Sequence, residues 1–217
     1  MRSRFKSLVH FFTAVSVLVC ALVAMSVNAT NLAKPQTIII FGDSLSSAYG
    51  ITLDEGWVSL LQQRLAKQKR YDQVVNASIT GETTSGGLSR FSDMLKTHKP
   101  NIVMIELGGN DGLRGLSADE TYKNLNVMIQ QAKKNKVKVL LLGMKIPPNY
   151  GVKYSQQFSE NYQILAKKHK IQHVPFFLEG VAGNPNLIQA DGIHPTAKAQ
   201  PQLLENVWPT LIQMLKQ

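Results

Sequence analysis

Thr37-Ile38-Ile39-Ile40-Phe41-Gly42-Asp43-Ser44-Leu45 is the stretch on which the fold turns. Its first five residues are β-branched or apolar without a break. A strand wetted on one side alternates polar and apolar residues. One without a polar face must be covered on both sides, as in a parallel sheet flanked by helices. Gly42-Asp43-Ser44 then ends the run with turn-forming residues, which sets a hydroxyl at the carboxyl end of the strand. In open parallel sheets ligands bind at that end.

The same pattern recurs outward from this strand. Val74–Ser78 is a weaker strand, Ile102–Leu107 a strong one, Val137–Leu142 a fourth and Ile171–Phe177 a fifth. Between them apolar residues fall at helical spacing: Trp57, Leu60, Leu61 and Leu65, then Leu88, Phe91, Met94 and Leu95. Tyr122, Leu125, Ile129 and Ala132 mark a third helix, and Tyr154, Phe158, Tyr162 and Leu165 a fourth. Ser117-Ala118-Asp119-Glu120 reads as a capping box opening the third. A last helix starts at Thr196, with Pro201 in its opening turns and Pro209 expected to kink or end it. Five strands alternating with five helices predict an α/β domain with one parallel sheet covered on both faces.

The chain has 217 residues, 44% of them hydrophobic, which suffices for one well-packed core and is short for two. Residues 1–29 read as a signal peptide: Arg2, Arg4 and Lys6 precede an apolar run from Leu8 to Val27, and Val27-Asn28-Ala29 fits a cleavage site. The expected division is therefore a signal peptide, 1–29, and a single domain, 30–217. An uncleaved membrane anchor is the alternative. Bulky Val19 before Cys20 argues against a lipoprotein. Cys20 is the only cysteine, so the domain after cleavage has no disulfide, thiol nucleophile or cysteine metal site. The net charge of +10 is dispersed, and no basic run is interleaved with aromatics, which argues against nucleic acid as a partner.

Asp191-Gly192-Ile193-His194-Pro195 adds an acid and a base three positions apart, about one helical turn. A serine hydroxyl is a poor nucleophile until a base takes its proton. His194 is the best base. His98 ends a helix, His169 lies in a lysine cluster and His173 lies in a strand. Asp191 would orient the imidazole and stabilise it once protonated. Asp43, adjacent to Ser44, reads as a turn residue shaping the nucleophile loop. Ester cleavage also needs donors for an oxyanion, and the Ser44 and Gly81 N–H groups and the Asn110 amide are candidates. Ordinary turn chemistry is an equal reading of Gly81 and Asn110. In the predicted topology Ser44, Gly81, Asn110, the loop after the fourth strand, Asp191 and His194 all follow strand ends and converge.

These blocks resemble the SGNH, or GDSL, hydrolase family. Gly42-Asp43-Ser44-Leu45 matches its first block, Gly81 the glycine, Gly108-Gly109-Asn110-Asp111 the Gly-x-Asn-Asp block, and Asp191 to His194 the Asp-x-x-His block. Glu106 to Gly115 and Pro147-Pro148-Asn149-Tyr150-Gly151 are similar to its periplasmic thioesterase I, lysophospholipase and arylesterase subgroup. The resemblance implies a flavodoxin-like three-layer α/β/α fold, Ser44 as nucleophile, His194 as base, Asp191 as its acid, and an oxyanion hole from Ser44, Gly81 and Asn110. It further implies an acyl groove bordered by Ile146, Pro147, Pro148, Asn149 and Tyr150. The expected substrates are acyl thioesters, lysophospholipids and simple aryl or alkyl esters, cleaved through an acyl-enzyme without metal or cofactor. A periplasmic or secreted monomer, not inserted in the membrane once the signal is removed, is expected. A carbohydrate acetylesterase of the same family is the alternative substrate reading. A receiver-like binding module, with Asp43 and Lys145, is the alternative of another class.

Overall fold

The computed structural model describes residues 34–216, so the expected signal peptide lies outside the described residues. β1 (Thr37–Gly42) occupies the interior of a five-stranded sheet of order β2-β1-β3-β4-β5, with β2 Gln73–Asn76, β3 Ile102–Glu106, β4 Lys138–Leu142 and β5 Gln172–Val174. All pairings are parallel, and Ile39 sits opposite Val75 on one side and Val103 on the other. Ile38, Ile39, Ile40 and Phe41 have no exposed surface, as a strand without a polar face requires.

The helices are α1 (Trp57–Lys67), α2 (Thr84–His98), α3 (Gly109–Leu113), α4 (Ala118–Lys134), α5 (Val152–His169) and α6 (Gln200–Leu215). The chain leaves β1 toward one edge, then returns past it to β3 and continues toward the other. Right-handed crossovers running in opposite directions fall on opposite faces. Accordingly α1 packs with α6, while α2 packs with α4 and α4 with α5. This is the α/β/α sandwich expected, and the reversal between β1 and β3 opens the crevice in which such sheets bind ligands.

Several elements differ from the sequence expectation. β5 stops at Val174 rather than Phe177: the Gly143 N–H still donates to the Val174 carbonyl at 2.8 Å, but the Gly143 carbonyl accepts the Phe177 N–H at 2.8 Å, one residue beyond the partner a regular ladder would use. β2 ends at Asn76 rather than Ser78, although the Ala77 N–H still donates to the Ile40 carbonyl at 2.8 Å. Pro209 does not end the last helix: α6 runs to Leu215. Val207, Leu211, Met214 and Leu215 are buried on both sides of the proline, and that burial outweighs one missing backbone bond. The five-residue α3 was not anticipated, being too short for a periodic signal. The Ser117 cap is present, its hydroxyl accepting the Glu120 N–H at 3.4 Å.

β1 is the most tightly constrained element. Ile39→Ala should lower unfolding free energy by about 2–5 kcal/mol in denaturant titrations. Leu53→Ala, at a position 69% exposed, should change it by less than about 0.5 kcal/mol.

Candidate active site

Ser44 stands in the turn that follows β1. The Asp43 carbonyl accepts the N–H groups of Ser46 at 3.3 Å and Ser47 at 3.0 Å, and Asp43 Oδ1 accepts the Leu45 N–H at 3.0 Å. This turn lifts Ser44 away from the sheet while leaving it only 7% exposed. Asp43 thus shapes the loop, as expected, but its carboxyl group is also buried.

The acid and base come from an irregular segment after β5. A bridge between Ile188 and Pro195, with the Gln189 N–H on the His194 carbonyl at 2.7 Å, closes a small loop. Inside it Asp191 Oδ1 accepts the Ile193 N–H at 2.9 Å and the His194 N–H at 3.0 Å. Gly192, at φ +73°, supplies the left-handed step. The three-position spacing is therefore realised by an aspartate side-chain turn rather than by a helix. The Gln189 amide ties this loop to the one after β1, donating to the carbonyls of Tyr49 at 2.8 Å and Pro195 at 2.9 Å. Gln189 carried no sequence signal, since a lone loop glutamine fits no motif. The Tyr49 ring lies beside the imidazole with centroids 4.3 Å apart.

The three side chains meet. Ser44 Oγ–H donates to His194 Nε2 at 2.8 Å, across 150 positions of sequence, and His194 Nδ1–H donates to Asp191 Oδ2 at 2.6 Å. An ionised carboxylate can only accept, which assigns the ring tautomer. The His194 backbone N–H, the His194 ring and the Ile193 N–H hold the Asp191 carboxyl down from its ordinary 3.8 to about 2. The arrangement can move a proton from the hydroxyl to the imidazole and stabilise the resulting cation.

Among the described residues the Ser44 and Gly81 N–H groups donate to no protein acceptor. Gly81 has φ +77°, and Arg114 Nη2 holds its carbonyl at 3.1 Å. Asn110, on α3, lines the same cleft as Ser44, but its Nδ2 already donates twice, to Asp43 Oδ2 at 2.9 Å and to the Glu82 carbonyl at 3.0 Å. Asp111 turns inward instead and takes the Thr84 N–H at 2.8 Å, pinning α2 to α3.

A cleft of about 240 Å³, partly open to solvent, runs from Ser44 and His194. Ile146 and Pro147 line it, whereas Asn149 and Tyr150 do not. Tyr150 ties its loop to the Leu113 carbonyl at 3.1 Å, and Pro148 opens the 3-10 turn Pro148–Tyr150. The opposite wall comes from Phe176, Leu178, Ala182, Ile188 and Ile193. Phe176 falls in the expected fifth strand and Ile193 in the Asp191–Pro195 block, but the segment from Leu178 to Ile188 has neither helical nor strand periodicity, so nothing in the sequence marked it.

Residues 40–200 match the model of the GDSL-like lipase/acylhydrolase family. The chain is 52% identical over 186 residues to esterase TesA of Pseudomonas aeruginosa, covering 86% of this chain and 92% of that one. It is 42% identical over 169 residues to thioesterase 1/protease 1/lysophospholipase L1 of Escherichia coli, covering 78% and 80% respectively. The crystal structure of a protein named TesA superposes with a TM-score of 0.79 at 53% identity, covering 81% of this chain and 98% of that one.

The His194–Asp191 bond should give a strongly deshielded ring N–H resonance in proton NMR. It should survive acidification past 3.8, because the Asp191 carboxylate is lost only near about 2. Asp191→Asn should abolish it.

Proposed function

The chain belongs to the GDSL-like lipase/acylhydrolase family and is a serine hydrolase of small-molecule esters and thioesters, and on that premise we propose that Ser44, His194 and Asp191 perform a two-step acyl transfer. Ser44 Oγ attacks the substrate carbonyl while its proton passes to His194 Nε2. Asp191 holds the ring and balances the imidazolium. The Ser44 and Gly81 N–H groups take the oxyanion. Asn110 joins them by exchanging one of its two present bonds. The bond to the Glu82 carbonyl is the weaker one, since the Asp43 acceptor is a carboxylate. His194 then protonates the departing thiol or alcohol. Water, activated by the same ring, releases the acid from Ser44.

The observation that carries this reading is the continuous hydrogen-bonded line from Ser44 Oγ through His194 to Asp191 at the head of an apolar cleft. The side chains of Ile146, Leu178, Ile188 and Ile193 along that cleft favour an acyl chain over a sugar. Acyl thioesters, lysophospholipids and aryl or alkyl esters are the substrates proposed. The alternation of residues 1–29, basic and then apolar, supports export and a periplasmic or secreted site of action, with 30–217 as the single mature domain. Among the described residues no helix is long and apolar enough to cross a membrane. A monomer that binds no nucleic acid completes the proposal.

Ser44→Ala should fold normally, lose turnover on the order of 10⁴–10⁶-fold and fail to label with a fluorophosphonate probe. Full labelling of that variant would move the nucleophile elsewhere. With p-nitrophenyl esters, each methylene that enters the cleft should raise kcat/KM by up to about fourfold, the transfer free energy of one CH₂. A profile that falls from acetate onward would favour the acetylesterase instead.

A further inference from the structure

Beneath the nucleophile turn lie two carboxyl groups that the acyl-transfer steps do not use. Glu106, the last residue of β3, has no exposed surface, and Asp43 is 1% exposed. Glu106 Oε2 accepts the Asp43 N–H at 3.2 Å and the Ser46 hydroxyl at 2.6 Å, and Ser46 Oγ in turn accepts the Trp57 indole N–H at 3.3 Å. Both Asp43 oxygens are used: Oδ1 takes the Leu45 N–H and Oδ2 the Asn110 amide. Glu106 Oε1 is fully buried and has no donor.

A proton count resolves the orphan. An ionised Glu106 would leave one anionic oxygen dry and undonated beside a second carboxylate, with no lysine or arginine paired to either among the described residues. A proton on Oε1 turns the orphaned acceptor into a donor, and the Asp43 side chain lies within hydrogen-bond reach of the Glu106 carboxyl. We propose that Glu106 and Asp43 hold one proton between them, Glu106 neutral and Asp43 ionised, and that this pair is the positioning device that orients Asn110 and adds a second negative charge near His194. This inference rests on the Ser44–His194 reading for its catalytic consequence.

Desolvation, and then the neighbouring Asp43 charge, push the Glu106 carboxyl well above the carboxylate range. Burial raises Asp43 to about 6, opposed by the Leu45 N–H, the Asn110 amide, the His194 ring and Glu106 itself. The titratable groups facing the pair are few. His194 approaches Asp43 from the loop after β5, and Tyr162 on α5 feels both charges, its hydroxyl donating to the Leu107 carbonyl at 3.0 Å. Asp43 therefore acts on the reaction in two ways, through its bond to Asn110 and through its charge near His194. It keeps one Asn110 hydrogen fixed while the other is exchanged for the oxyanion, and its charge favours the imidazolium that forms as Ser44 attacks.

Infrared spectroscopy of the wild-type protein at pH 7 should show the C=O stretch of a protonated, buried carboxyl, absent from Glu106→Gln. This band does not depend on which residue is the nucleophile, so it separates the pair from the acyl-transfer reading. Glu106→Ala should lower kcat roughly tenfold, the size of one lost charge-assisted hydrogen bond, and Glu106→Gln should restore most of it. Asp43→Asn presents a second amide donor to Asn110. It should lower kcat by about tenfold or more, short of the ~10²–10³ for deleting an oxyanion donor, at nearly constant KM. The acid limb of its kcat/KM profile should move to lower pH, while that of Glu106→Gln stays in place. A missing carboxyl band in wild-type protein overturns the proposal. So does a pH profile that shifts in Glu106→Gln, or one that does not move in Asp43→Asn.

Discussion

β1 is held between β2 and β3 by parallel backbone pairing, and each part of the site takes its position from that arrangement. A strand with no polar face can satisfy its backbone only through neighbours on both edges and its side chains only through helices on both faces. Once it is so placed, the chain must reverse around it, and the reversal leaves a crevice between the ends of β1 and β3. Ser44 leaves the first of these ends and Asn110 the second. The convergence of residues far apart in the chain is thus a consequence of sheet order.

Around that crevice, irregular backbone does most of the aiming. Asp191 orders its own loop by accepting two backbone N–H groups before it accepts the imidazole. The same bonds that shape the loop keep Asp191 ionised, so local folding and chemical readiness share one cause. Gln189 performs the complementary task, fastening the base-bearing loop to the nucleophile-bearing one. Below them, the carboxyl pair of Asp43 and Glu106 forms a dry polar layer between the sheet and the catalytic rim. Such a layer persists only if every polar atom in it has a partner, which one shared proton provides.

The strands, the principal helices and the class of the fold were legible because burial demands periodicity, and periodicity survives in one dimension. Ser44, Gly81, Asn110, Asp191 and His194 were legible as residue types placed after strand ends. The stop of β5 at Val174 and the persistence of α6 through Pro209 were decided by tertiary contacts. β5 loses its register where the Gly143 carbonyl takes the Phe177 N–H, whereas α6 continues because residues on either side of its proline are buried. The wall from Leu178 to Ile188 was invisible, since its residues face the cleft through turns with no repeat.

From its order of residues alone, this chain determined a doubly covered parallel sheet and the identity of the groups at its carboxyl edge, because both are local properties of composition and spacing. Tertiary structure alone decided three things: that Asp191 and His194 meet through a side-chain turn, that both Asn110 hydrogens are already engaged, and that the Glu106 carboxyl is entombed against Asp43. The physical reason is that hydrogen-bond partnership and desolvation depend on which atoms arrive at a point in space, and segments distant in the chain contribute those atoms.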